Sequence, residues 1–388
     1  MDGIGSQLLS SQPWLAMLDS MGLPQATRFG PLVSADRLRL ARETRGWTQR
    51  VLVEKMAEHG HSVTPAALSQ LELGRSTPSG KTLLAIAEAT GFPLEYFVRR
   101  HADAEVQGFF RSLRSAPARE RRWAIAQAHL LHDFVRVVEH HIELPELAVP
   151  HMTISSSDPD EMEDVSIKVR RSWGLGVEPI QNVVRTLERH GVMTTRLSLG
   201  RHDLDAFSVW FADRPVVALG ADKGSTARSR FDAAHELGHG ILHDASDIGT
   251  QQAEAEANQF AATFLMPATS IRSYLSASVN WRTLMDVKAA WGVSLGALLM
   301  RARDLSVLSP QRYISAMKYM SARGWRKSEP GDRALGSPEQ PQLIGAALRQ
   351  ISRSGLELAD IAAEAGLPLA DIQEIIRPAI GTRHRVDL

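Results

Sequence analysis

Five residues near the middle of the chain, His235-Glu236-Leu237-Gly238-His239, constrain its fold more than any other stretch. Two imidazoles four positions apart meet at one point when the backbone between them is helical, because residues i and i+4 then share a face, ~5 to 6 Å apart at Cβ. On such a helix both rings reach one ion. Glu236 follows the first ring, so its carboxylate can approach a water on that ion and act as general base. Phe231, Ala234, Leu237, Ile241 and Leu242 make the helix apolar enough to be buried. The 388 residues include no cysteine, which excludes thiolate metal sites, disulfides and cysteine nucleophiles and leaves His, Asp or Glu as ligands.

A catalytic zinc (Zn2+) site takes three protein ligands, with imidazole nitrogen at ~2.0 to 2.1 Å, and keeps a position for water. His243 is a poor third ligand: it stands eight residues from His235, ~12 Å along a helix axis at ~1.5 Å per residue. The longer metzincin pattern would need Gly at 242 and His at 245, where this chain has Leu242 and Ala245. A carboxylate on a following helix remains, and the helical stretch from Glu254 to Pro267 supplies one. Glu254 and Asn258 share a face there, while Glu256 lies ~200° round from Glu254. The expected metal ligands are therefore His235, His239 and Glu254, with Asn258 as hydrogen-bond partner of a ligand histidine. Glu256 as ligand is the competing assignment.

Around this motif the chain divides by composition. At 388 residues it is too long for one ordinary core, given roughly 100 to 200 residues per domain. Residues 1–33 form an unassigned N-terminal extension. Residues 34–100 read as short helices broken by turn signals at Gly46, Gly74, Pro78 and Gly91. Residues 101–142 follow as a helical segment with Trp123, Ala126, Leu130, Phe134, Val137 and Val138 on one side, which suits a linking helix or a homodimer seam. From Glu143 to Asp164 there are seven acidic residues and no Lys or Arg, the composition of a solvated, mobile linker. In residues 165–325, a helix near Pro179 to His190 precedes apolar runs at Val192 to Leu199, Ala206 to Phe211 and Val216 to Leu219 that suit strands, and helices resume from about Ala227. Residues 326–388 read as a Gly- and Pro-containing linker and a small helical tail.

Within the second half, the runs RSRFDAAHELGHGILH and EAEANQFAATFLMP, and later VKAAWGVSLGALLMRARDL and SARGW, resemble the ImmA/IrrE family of zinc metallopeptidases. That resemblance implies His235, His239 and Glu254 as zinc ligands, Glu236 as base, and a helix-turn-helix repressor as the protein cleaved, under stress or phage control.

The tract from Ser34 to Phe97 resembles the Cro and phage-repressor (XRE) type of helix-turn-helix domain, in Thr48-Gln49, in the SQLELG stretch and in Pro78. Thr48 and Thr64 are good N-caps and place helix N-termini where backbone N–H groups meet phosphate. Gln49, Ser69, Gln70 and Arg75 are placed to contact double-stranded DNA. Between residues 34 and 100 there are ten Lys or Arg against seven Asp or Glu. Three features depart from the family pattern: a long turn from Glu58 to Ser62, Val53 where the family commonly has a small residue, and Ala66 and Ala67 on the recognition helix, which leave mainly thymine-methyl contact there.

The expected architecture is multidomain: an all-α helix-turn-helix domain, an α+β zincin-like metallopeptidase domain and a small helical tail. The expected function is a DNA-binding transcriptional regulator with a zinc-dependent peptidase domain that acts on a repressor or antitoxin protein. Two other readings stand beside it: a non-catalytic regulator that uses the metallopeptidase fold as sensor or dimerisation module, and a toxin-antitoxin component. No basic, apolar leader and no run of ~18 apolar residues is present, so a cytoplasmic protein without membrane contact is expected.

Overall fold

The computed structural model describes residues 33–98, 107–109, 117–154, 159–199, 205–221, 224–244, 247 and 249–380. The expected N-terminal extension lies outside them except for Val33.

Five short helices come first: α1 (Ala35–Thr44), α2 (Gln49–Glu58), α3 (Pro65–Glu72), α4 (Gly80–Thr90) and α5 (Leu94–Val98). Ser34, Thr48, Thr64 and Ser79 cap the first four, each side chain accepting a hydrogen bond from the backbone N–H three residues on, which satisfies a donor the helix leaves open. Leu38, Leu52, Leu68, Ile86, Tyr96 and Phe97 close the interior. Arg42 donates to both Glu72 oxygens, at 2.6 and 2.8 Å, and ties α1 to α3.

After the short strand β1 (Gln107–Phe109), α6 runs through 24 residues, Ala118–His141, a length of ~36 Å. Arg119 donates to the Gly46 carbonyl, and Arg37 of α1 pairs with Asp133. The apolar side expected as a linking face or homodimer seam is used within the chain: Ala126, Leu130, Phe134, Val137 and Val138 are all buried in it.

The described parts of the tract from 143 to 164, residues 143–154 and 159–164, differ from the solvated linker expected. Ala148 N–H donates to the His190 carbonyl and Met152 N–H to the Ile241 carbonyl. From Pro159 the chain is helical, as α7 (Pro159–Ser172). Met162, Val165 and Val169 are buried at helical spacing while Asp160 and Asp164 face solvent. An amphipathic helix with an acidic outer face has the same composition as a linker, and only the spacing of three apolar residues separates them.

Helix α8 (Val183–Arg189) leads into β2 (Met193–Leu197), β3 (Ala206–Trp210) and β4 (Val216–Gly220), where the apolar runs place strands. The sheet order is β1-β3-β4-β2, with β2 parallel to β4 and the other pairs antiparallel. Every residue of β2, β3 and β4 is buried, so the sheet is covered on both faces. Phe207, Val209, Val216 and Ala218 point into a first core that also holds α6 and the N-terminal helices. Ala206, Trp210, Val217 and Leu219 point into a second core, formed with α7, α8, α9 (Thr226–Leu242), α10 (Gln251–Leu265), α12 (Trp281–Trp291), α13 (Leu295–Asp304) and α14 (Pro310–Ala322). The short α11 (Ala268–Ile271) links the α10 and α12 stretches.

The expected second linker is strapped down as well. Glu329 and Asp332 pair with buried Lys288, and Glu339 pairs with Arg230 and accepts the Val183 and Val184 N–H groups that open α8. The tail, α15 (Leu343–Ile351), α16 (Leu358–Ala365) and α17 (Leu369–Ile380), folds back on β2 and α6. Ile344, Ile361, Ile372 and Ile376 complete the first core. Thr195 Oγ1 donates to the Ile375 carbonyl, and Arg45 makes a two-bond pair with Asp371 at 2.6 and 2.7 Å. Among the described residues no single helix is long and apolar enough to cross a membrane.

Candidate functional site

Helix α9 carries the motif, and two of its glycines let its neighbours approach. A Cβ at Gly240 would stand 1.8 Å from the Trp210 ring of β3, and one at Gly238 2.9 Å from Phe260 of α10. No side chain fits at position 240, so α9 lies directly on the sheet and α10 directly on α9.

This packing brings His235, His239 and Glu254 together. Each offers one ligand atom, and the three lie within 4.8 Å of one another. His235 Nε2 and His239 Nε2 are 3.0 Å apart, and each is 3.3 Å from a Glu254 oxygen. Ligands on a tetrahedral ion with bonds of ~2.0 to 2.1 Å stand about 3.3 Å from one another. The donor set and its spacing therefore fit a zinc ion.

The remaining ring nitrogens are held from behind. His235 Nδ1 lies 3.1 Å from Asn258 Oδ1, a carbonyl oxygen that can only accept, so Nδ1 carries the proton and Nε2 presents its lone pair. Behind His239 stands a buried chain: its Nδ1 lies 3.0 Å from His243 Nδ1, His243 Nε2 lies 3.0 Å from Glu256 Oε2, and Gln252 donates to Glu256 Oε1. With Glu256 ionised, His243 donates from Nε2 and accepts at Nδ1. His239 must then donate from Nδ1, which again leaves Nε2 free. Glu256, the competing ligand, is thus directed at His243 and away from the cluster. The signal for this chain was in the sequence: His243 follows His239 by one turn.

Glu236 faces the sheet and is buried. Ser208 Oγ donates to its Oε2 at 2.6 Å. Burial raises the Glu236 carboxyl to about 7, against the pull of His235 and the Ser208 hydrogen bond. For His239, burial outweighs the nearby Glu254 carboxylate and holds the ring at about 4, hence neutral near pH 7. Burial would raise Glu254, but the His235 and His239 rings beside it keep it down at about 2. Burial would lower His235, but Glu254, Glu236 and Asp232 raise it. His239 as a neutral imidazole and Glu254 as an ionised carboxylate are in the forms a metal requires. Ser208 was not foreseen; its one mark is a hydroxyl inside the apolar run Ala206-Phe207-Ser208-Val209-Trp210.

In the N-terminal unit, Thr48 and Thr64 cap α2 and α3 and are exposed, as are Gln70 and Arg75. Ser69 is half-buried. Gln49 is half-buried too, and one of its amide hydrogens is donated to Glu72 at 2.8 Å, so one donor is left for phosphate. The outward side of α3, with Pro65, Ala66, Ala67 and Gln70, is open to solvent. The long turn before it is anchored by His61, whose Nε2 lies 3.1 Å from Thr82 Oγ1.

Residues 38–97 match the family model described as helix-turn-helix, and residues 187–303 match that of the IrrE N-terminal-like domain, a peptidase family. The chain joins an XRE-type helix-turn-helix domain to an IrrE N-terminal-like domain. No curated protein matches it. The IrrE N-terminal-like match spans the sheet strands β2, β3 and β4 and helices α9 and α10, and so contains the whole His-His-Glu cluster together with Glu236 and Ser208. The helix-turn-helix match contains every side chain expected to meet DNA, which supports double-stranded DNA as a partner.

Proposed function

We propose that the chain is a DNA-binding transcriptional regulator whose IrrE N-terminal-like domain is a zinc-dependent peptidase, with His235, His239 and Glu254 holding the metal and Glu236 as general base. The observation that carries this reading is the convergence of three ligand atoms at the spacing of a tetrahedral ion, with a buried carboxyl of raised pKa beside them. Bound there, zinc supplies Lewis acidity and a water activated for attack near neutral pH. The protein supplies the proton transfer. Ser208 fixes Glu236 Oε2, which leaves Oε1 to take the proton from the attacking water and later return it to the leaving amine. A pKa of about 7 suits both directions.

The substrate we propose is a repressor-type protein, which places the regulator in stress, phage or mobile-element control. The chain's own tract at 143–154 is hydrogen-bonded against His190 and Ile241, so the reading favours cleavage of another molecule over cleavage of this tether. Metal analysis paired with a cleavage assay on wild type and Glu236→Gln tests it. Stoichiometric zinc in both, with hydrolysis only in the wild type, is expected. Hydrolysis that survives in Glu236→Gln would exclude the assignment.

A further inference from the structure

A half-open cleft of about 1350 Å³ runs beside the metal cluster, between α9, α10, α13, α14 and residues 325–327. Asn258, which orients His235, lies on its wall. Small-molecule pockets are usually about 300 to 1,000 Å³, so the cleft has room for an extended chain. Its apolar lining includes Phe231, Met300, Tyr313, Met317 and Trp325. Met side chains adapt to differing apolar partners, and Met300 remains exposed.

The charges on the walls do not cancel locally. Glu163 pairs with Arg301, Asp304 with Arg303, and Glu329 and Asp332 both with Lys288. Arg228, Arg272, Arg326 and Lys327 line the same cleft, and among the described residues none of them forms an ion pair. Counted over the whole lining, with Asp160 included, the cleft has six Arg or Lys against five Asp or Glu. The four cations without an ion pair are nonetheless the charges left to meet a ligand, so a groove with an apolar floor and these cations selects a ligand with apolar side chains and negative charge.

We propose that this cleft is the substrate site of the metal centre and takes an extended peptide segment in which carboxylates flank apolar side chains. The proposal rests on the peptidase reading and names its substrate class. The apolar side chains seat on Met300, Met317 and Trp325, and the carboxylates meet Arg228, Arg272, Arg326 and Lys327. Each solvent-exposed ion pair is worth only about a few-fold in affinity, so preference comes from several together and weakens with salt.

Full-length Glu236→Gln protein, loaded with zinc, would be titrated by fluorescence anisotropy with two labelled peptides of identical apolar residues, one carrying four Glu and the other four Lys. The expected result is at least about tenfold tighter binding of the Glu peptide at low salt, an advantage reduced at high salt. Adding Arg272→Glu and Arg326→Glu should abolish that preference without changing zinc content or melting temperature. Equal binding of both peptides, or a preference that survives the charge reversal, would overturn the proposal. So would binding of oleate at this site by a protein that takes neither peptide. Failure of the underlying reading looks different: a Glu peptide bound with the expected preference but left intact by zinc-loaded wild type supports the cleft and removes the peptidase. Zinc-dependent hydrolysis of casein with no charge preference in binding keeps the peptidase and removes the cleft.

Discussion

Phe207 and Val209 on one side of β3, and Ser208 and Trp210 on the other, are one step apart along the strand and belong to different cores. On the first core, α6, the inner sides of the N-terminal helices and the tail helices meet the sheet through Leu, Ile, Val and Phe. The buried ion pairs of that side, Arg42 with Glu72 and Arg37 with Asp133, tie helix to helix and do not touch the sheet chemistry. The second core contains every side chain of the proposed chemistry, with Glu236 paired to Ser208 and His243 to Glu256. The difference teaches how the two functions are joined. An apolar face needs no particular partner geometry, so it can cement a DNA-binding unit to a sheet, whereas the polar face must hold each donor and acceptor in place.

The largest expected effect lies on the polar face. Glu236→Gln should lower the turnover number by about 10² to 10⁴ while zinc content, measured by atomic emission, stays at the wild-type level. Loss of zinc with the same change would show that Glu236 shapes the metal site rather than moving a proton. Next comes the apolar face: Phe134→Ala on α6 should cost about 3 to 5 kcal/mol in denaturant unfolding, and DNA binding and the strand amides of β4 should weaken together. If only the N-terminal helices lose hydrogen-exchange protection, the first core is two cores and the comparison fails.

A smaller effect follows from the chain behind His239. Replacing His243 with Ala should weaken zinc binding about 10- to 100-fold in a chelator competition, with little change in DNA affinity. Unchanged zinc affinity would mean that His239 keeps its tautomer without help. The smallest effect is expected at the DNA surface, where Arg75→Ala should lower affinity for all sequences alike and reduce the slope of log K against log salt by about 1. A change confined to one operator sequence would move Arg75 from the phosphates to the bases.

Much of the local structure was legible. The strand runs, the helix caps at Thr48 and Thr64, and the meeting of His235 with His239 follow from interactions within a few residues, and the structure places each where the pattern puts it. The two linkers were misread because composition reports average polarity and not its direction. Residues 159–172 are acidic outside and apolar inside, and residues 326–341 are polar because their carboxylates hold Lys288 and Arg230.

What the sequence determined by itself, then, is whatever a single helical turn or strand repeat can express: the absence of thiol ligands, the face shared by residues 235 and 239, the exclusion of His243 by distance, and the preference for Glu254 beside Asn258. Tertiary structure alone decided which elements touch. That Glu256 turns to His243, that Ser208 reaches Glu236 across 28 positions, and that the tail seals the same core as the N-terminal helices all depend on how closely helices and sheet approach. That approach is set by close packing at a few points such as Gly238 and Gly240, where the missing side chain matters only once Phe260 and Trp210 have arrived.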